Sequence, residues 1–203
     1  MLRIGLTGNI ASGKSAVADV WRGMGAALID ADVLAREAVA PGTAGLARVV
    51  EAFGARILRD DGALDRAALR AVVFEDAAAR ERLEAIVHPE VARLRLAREA
   101  DLAAAGERIV VHVVPLLFEV GMEKAFDEVV LVDAPEAVRL ARLVELRGLD
   151  EAEAGRMIAA QQPAAHKRGR ATRVIDNAGT LDALHEQART VWQELQVQAA
   201  RCA

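Results

Sequence analysis

Residues 8–15 read Gly-Asn-Ile-Ala-Ser-Gly-Lys-Ser and match the pattern G-x-x-x-x-G-K-[ST] at every fixed position. The chemistry such a stretch can do is to bind a polyphosphate. Gly8 and Gly13 let the backbone wrap so that successive N–H groups point inward, an anion nest at a helix N-terminus. Lys14 can reach β- and γ-phosphate oxygens, and the Ser15 hydroxyl can ligate a nucleotide-bound Mg²⁺. Ala11, Ser12 and Ala16 complete the expected nucleotide contacts through the backbone. A chance glycine turn would not need an apolar strand before it and an amphipathic helix after it. Both are present: the run at 2–6, and Val17, Val20, Trp21 and Met24 at i, i+3, i+4, i+7.

A phosphate loop needs further groups to become a particular enzyme. A second apolar run ends in Ile29-Asp30-Ala31-Asp32. Strand ends on the carboxyl side of a parallel sheet face the ligand crevice. There one carboxylate can accept the proton of an attacking hydroxyl and the other can act through metal-bound water, unless either merely caps the next helix. Asp32 is the better candidate for the base, and Asp30 stands between site and cap. Asp133 ends the run at 129–132 and imitates the metal-holding carboxylate of mechanical ATPases, but Ala134-Pro135 follows, so Asp133 is expected to cap a helix. No Asn-Lys-x-Asp occurs, which argues against a guanine-reading GTPase. The residues point to a small-molecule kinase using ATP. The alternatives are an acceptor of nucleotide, nucleoside or shikimate type, or a switch that hydrolyses nucleotide.

The elements that must position these groups are legible in outline. The chain has 203 residues, 53% hydrophobic and 28% charged, with net charge −4, which suits one soluble core and no polyanion-binding surface. Apolar runs at 2–6, 26–29, 109–114, 129–132 and 174–175 alternate with stretches of helical period. That pattern predicts an α/β fold, a doubly wound parallel sheet covered on both faces. Residues 42–106 break the alternation. They read as helix interrupted by the Asp60-Asp61-Gly62 turn and by a break at His88-Pro89, and are expected to form an inserted subdomain. An arginine-rich helical stretch, 135–170, reads as a mobile cover. The core is then about 1–41, 107–134 and 171–203. The lone Cys202, the glycine-rich start and the absence of a long apolar span lead to the expectation of a cytoplasmic protein, with no membrane, nucleic-acid or obligate protein partner.

The chain resembles the dephospho-coenzyme A kinases almost end to end. The resemblance rests on Ile4-Gly5-Leu6-Thr7-Gly8 and the phosphate loop, Ile29-Asp30-Ala31-Asp32 with Ala35-Arg36, Pro41-Gly42, Phe53-Gly54, and Asp61-Gly62 with Leu64-Asp65-Arg66. It continues through His88-Pro89, Pro115-Leu116-Leu117-Phe118-Glu119, Arg142, Gln161, Lys167-Arg168 and Val174-Ile175-Asp176-Asn177. It implies a P-loop core of the NTPase type, a helical region holding the CoA moiety, and a helical lid. It also implies transfer from ATP, with Mg²⁺, to the ribose 3′-hydroxyl of dephospho-CoA. By the same likeness Asp32 is the base, Arg142 on the lid stabilises the transferring phosphoryl, and Asn177 sits near the adenine. Thr7, Arg36 and His88 line the acceptor side, joined by Asp30 and Leu116.

The chain also departs from that family's pattern. Asn9 and Ala11 replace two glycines of the loop, which is expected to limit positive φ there. The lid's usual second arginine is Leu146, with Arg147 beside it, and Thr172 stands where an aspartate is common. Arg147 would point about 100° away around a helix from Leu146, whereas Arg139 shares a face with Arg142 and is expected to substitute. Other features carry bland readings. The arginines of 139–170 with Lys167 can be a charged helical face, Glu119 solvated surface, and His112, Trp21 and Trp192 core. His88-Pro89 can be a helix break alone, and residues 115–118 either core or a loop over the acceptor.

Overall fold

The computed structural model describes residues 1–201, so Cys202 lies outside the described residues. In chain order the elements are β1 (Leu2–Thr7), α1 (Lys14–Gly23), β2 (Ala27–Asp30), α2 (Ala31–Glu37), α3 (Ala44–Phe53), α4 (Arg66–Glu75) and α5 (Ala77–Ala104). Then follow β3 (Ile109–Val113), β4 (Glu128–Asp133), α6 (Glu136–Arg147), α7 (Glu151–Ala159), α8 (Ala164–Arg168), β5 (Arg173–Asp176) and α9 (Leu181–Arg201). The chain divides into two compact units, one of Met1–Ile29 with Leu102 onward, the other Asp30–Asp101.

The first unit holds the sheet, in the order β2-β3-β1-β4-β5. β1 lies at its centre, parallel to β3 (Ile4 beside Val111, Leu6 beside Val113) and to β4 (Leu6 beside Val130), and β4 is parallel to β5. A central strand covered on both faces needs apolar residues at consecutive positions, and Ile4 and Leu6 are fully buried. On one face α1 and α9 pack through Val17, Trp21, Leu184, Ala188 and Trp192. The rings of Trp21 and Trp192 lie 5.6 Å apart, and the Trp21 indole N–H donates to the Ala188 carbonyl at 2.8 Å. A buried indole that keeps a hydrogen-bond partner retains its full apolar benefit. The other face is covered by Leu117, Phe118 and Phe126 over Val129 and Leu131. The 115–118 segment is therefore divided: Leu117 and Phe118 are core, while Leu116 is exposed. His112 is buried, its ring 5.2 Å from that of Phe126.

The second unit is helical around Val39, Leu46, Val49, Phe53, Ile57, Leu64 and Leu69. Its helices begin on side-chain caps: Asp30 for α2, Thr43 for α3 and Asp65 for α4 each accept backbone N–H groups of the first turn. The Asp60-Asp61-Gly62 turn closes a small antiparallel bridge between Leu58 and Leu64. The break expected at His88-Pro89 does not occur, because α5 continues through Pro89 for 28 residues. An interior proline costs about 3 kcal/mol through one lost hydrogen bond and a clash. Against that stand the packing of Leu83, Ile86 and Val87 on the core, and Glu90, held by Arg48 at 2.7 Å and Arg93 at 3.0 Å.

Candidate active site

The phosphate loop runs from the end of β1 to the start of α1. Gly13 is the N-cap of α1 at φ +97°, gives it no side-chain cap, and no acidic residue follows in the first turn. The helix N-terminus thus has no anionic or capping side chain of its own among the described residues. Gly8 is required by close approach, since a Cβ there would sit 2.5 Å from the Val132 carbonyl oxygen. Ala11 corrects an expectation. It occupies the left-handed region at φ 58°, a conformation that costs a non-glycine residue about 1–2 kcal/mol. Its methyl group explains why alanine is tolerated: Ile10 and Ala11 pack with Leu140, Leu143, Val144, Ala154 and Ile158 of α6 and α7.

Side chains from distant segments tie down each residue from 9 to 12. Arg142 of α6 donates to the Ala11 carbonyl at 3.1 Å and to Asn177 Oδ1 at 3.1 Å. Asn177, which follows β5 and is 4% exposed, donates its amide to the Ser12 carbonyl at 2.8 Å. The Ile10 N–H donates to Gln161 Oε1 at 2.7 Å, and Asn9 donates to the Gln162 carbonyl at 3.2 Å. Lys167 Nζ donates to Asn9 Oδ1 and to Glu119 Oε1, both at 2.5 Å. Thr7, fully buried, spends its hydroxyl on the Pro115 carbonyl at 3.4 Å. The structure thus brings together Thr7, the loop, Arg142 and Asn177 within the first unit. Leu116 belongs to the same unit, while Asp30, Asp32, Arg36 and His88 belong to the second.

Several carboxylates and cations lie elsewhere than their sequence context suggests. Asp133 does not cap α6: Pro135 is the N-cap, with no side-chain cap, and the Asp133 carboxylate pairs with Arg168 at 2.6 Å. Arg168 also bonds Asp176 at 2.7 Å, and hydrogen bonding to Asp176 and then Asp133 holds its pKa above the ordinary range. Asp30 is a cap, its Oδ1 accepting from the N–H groups of Asp32 and Val33. Asp32 is exposed, and its carboxylate has no hydrogen-bond or ion-pair partner among the described residues. Arg36 and His88 are exposed as well. Arg139 is buried in α6, its Nε donating to the Ala134 carbonyl at 3.2 Å, whereas Arg147 is exposed. Thr172 continues the strand ladder by exchanging hydrogen bonds with both backbone groups of Val129.

Two residues read as surface are not. Lys167 is fully buried, and Glu119, its partner, has a side chain only 19% exposed. The sequence signals were the place of Glu119 and Lys167 in the family pattern and the polarity of Asn9, a residue with an amide to satisfy where glycine would have none.

Comparison with known proteins identifies the family. The family model described as CoaE, dephospho-CoA kinase, matches residues 2–183. The dephospho-CoA kinase of Moorella thermoacetica is 50% identical over 97% of this chain and 93% of its own length. That of Anaeromyxobacter dehalogenans is 51% identical over 95% of this chain and 91% of its own. The crystal structure of a Thermus thermophilus protein superposes with a TM-score of 0.82 at 38% identity, covering 96% of this chain and 97% of that one. With a parallel sheet, a phosphate loop opening α1 and a matching pattern over nearly its whole length, the chain belongs to the dephospho-CoA kinase family.

Proposed function

We propose that this protein transfers the γ-phosphoryl group of ATP to the ribose 3′-hydroxyl of dephospho-CoA, giving coenzyme A in the last step of its synthesis. The observation that carries the reading is the phosphate loop, tied at each of residues 9–12 and opening an uncapped α1, in a chain of this family. A fixed set of inward N–H dipoles needs no reorganisation when charge develops on the transferring group, which is where such a site gains most of its effect. Gly8, Ala11, Ser12, Gly13, Lys14, Ser15 and Ala16 hold the phosphates. Asn177 lies behind the loop on the nucleotide side, and Arg142 meets the phosphoryl charge. Asp32 takes the proton from the acceptor hydroxyl. Thr7, Asp30, Arg36, His88 and Leu116 serve the acceptor, with the helical unit 30–101 holding its CoA portion and 135–170 acting as lid.

Mg²⁺ fits the donor present. Ser15 lies in the first turn of α1, exposed, and its hydroxyl has no hydrogen-bond partner among the described residues. Bound with ATP, the ion would neutralise phosphate charge. No helix among the described residues is long and apolar enough to cross a membrane, and the proposed compartment is the cytoplasm.

The test is an acceptor assay with mass spectrometry of the product. Dephospho-CoA should gain one phosphate at the 3′ position, and the 3′-deoxy analogue should bind without reacting. Phosphate at any other position, or no product at all, would reject the acceptor.

The lid arginines make a second check. Single alanine variants should rank Arg142 worst in kcat, Arg139 next and Arg147 near wild type. Arg142 touches the loop and Arg139 lies one turn before it, whereas Arg147 is solvent-exposed. Because Arg139 is buried, its variant should also melt lower. An Arg147→Ala defect equal to that of Arg142→Ala would overturn this assignment.

A further inference from the structure

Lys167 lies in the five-residue α8 and is fully buried, so it cannot reach a bound phosphate directly. Its ammonium is shared between the Glu119 carboxylate and the amide oxygen of Asn9, the first variable residue of the phosphate loop. The second carboxylate oxygen of Glu119 is shut away from solvent with no hydrogen-bond partner among the described residues. A largely buried ion pair of this kind is a poor source of stability, because desolvation offsets much of the attraction. An apolar pair of the same volume would fill the space as well. What it would not do is hold Asn9.

That hold matters because of the next two residues. Ala11 sits in the left-handed region, and a strained conformation persists only where its surroundings over-determine it. The loop's second half is tied through Ala11 and Ser12 to Arg142 and Asn177. The side-chain and backbone hydrogen bonds that its first half makes to other segments, among the described residues, come from the 161–167 segment: Gln161 on the Ile10 N–H, and Lys167 and the Gln162 carbonyl on the Asn9 side chain. We propose that Lys167, anchored by Glu119, is a positioning residue for ATP: through Asn9 it fixes the first half of the phosphate loop, whose Ile10 N–H is already spent on Gln161, and so sets how the remaining N–H groups of the loop meet the polyphosphate. The proposal rests on the loop being the ATP site. It adds a three-residue device, Glu119–Lys167–Asn9, that acts on nucleotide affinity without touching nucleotide.

The test uses Asn9→Ala and the double variant Lys167→Met/Glu119→Gln in the full-length enzyme. The first leaves the ion pair intact but cut off from the loop. The second removes both charges at nearly constant volume, so that neither is stranded. Each should raise the KM for ATP about tenfold, the scale of a lost hydrogen bond to a charged group, with the KM for dephospho-CoA and the melting temperature nearly unchanged. The triple variant should be no worse than either, since the residues act in series. A rise below about threefold in Asn9→Ala, or additive effects in the triple variant, overturns the proposal. Should the double variant fail to fold, Asn9→Ala decides alone. Lys14→Ala in the same assay separates the two readings: if Lys14 matters and Asn9→Ala does not, the loop is still the ATP site and only the positioning device is lost.

Discussion

Lys14→Ala should lower turnover by about 100-fold or more while leaving the fold intact, because loss of one preorganised electrostatic donor carries that effect. Lys14 is the first residue of α1 and stands outside the hydrophobic clusters that hold the sheet and its helices together. In the proposed site its ammonium serves the bound phosphates, adding to the charge of the helix N-terminus. Circular dichroism and the melting temperature should therefore match wild type within experimental scatter. A variant that keeps more than about a tenth of wild-type turnover would remove the phosphate loop from the mechanism.

Asp32→Asn should have the larger effect, a loss of about 10²–10⁴ in kcat, with only a modest change in ATP affinity. The structure separates the two carboxylates at the end of β2 by what each already does. Asp30 spends Oδ1 on the N–H groups of Asp32 and Val33, a helix cap that Asn would supply about as well. Asp32 has no such duty and keeps an exposed carboxylate with open lone pairs. Asn at 32 preserves shape and removes basicity, so steady-state kinetics against both substrates isolates the proton-transfer role. A metal ligand would instead announce itself through altered Mg²⁺ dependence. If Asp30→Asn proves the more damaging change, the two roles are reversed.

The phosphate loop of the candidate site was legible because its signals are short-range. The octapeptide at 8–15 names its own chemistry, since anion binding by backbone N–H groups needs only local wrapping and a helix start. The sheet could be read from β-branched runs, and the faces of α1 and α9 from the spacing that buries Trp21 and Trp192. The same local logic failed at Asp133 and at Pro89. A carboxylate before Ala-Pro looks like a cap until Arg168, 35 residues on, takes it. A proline looks like a helix end until the packing of Leu83, Ile86 and Val87 before it and the ion pairs of Glu90 after it offset the lost bond.

The sequence by itself determined the phosphate loop and the strand–helix alternation, for these depend on residues within a few positions of one another, and the reaction class through a pattern that runs almost end to end. The tertiary structure alone decided how the loop is held. Lys167 meets Asn9 across 158 residues, Gln161 meets Ile10 across 151, and Arg142 meets Ala11 across 131. No periodicity or spacing rule reaches that far. A lysine followed by arginine in a short polar helix looks solvated in one dimension. It becomes buried only when β4 and the turn carrying Glu119 fold against it. Ala11 likewise looks unsuited to positive φ until α6 and α7 close over its methyl group. Local pattern sets what a segment can bind, whereas burial, which is a property of the assembled core, sets which polar groups must find one another.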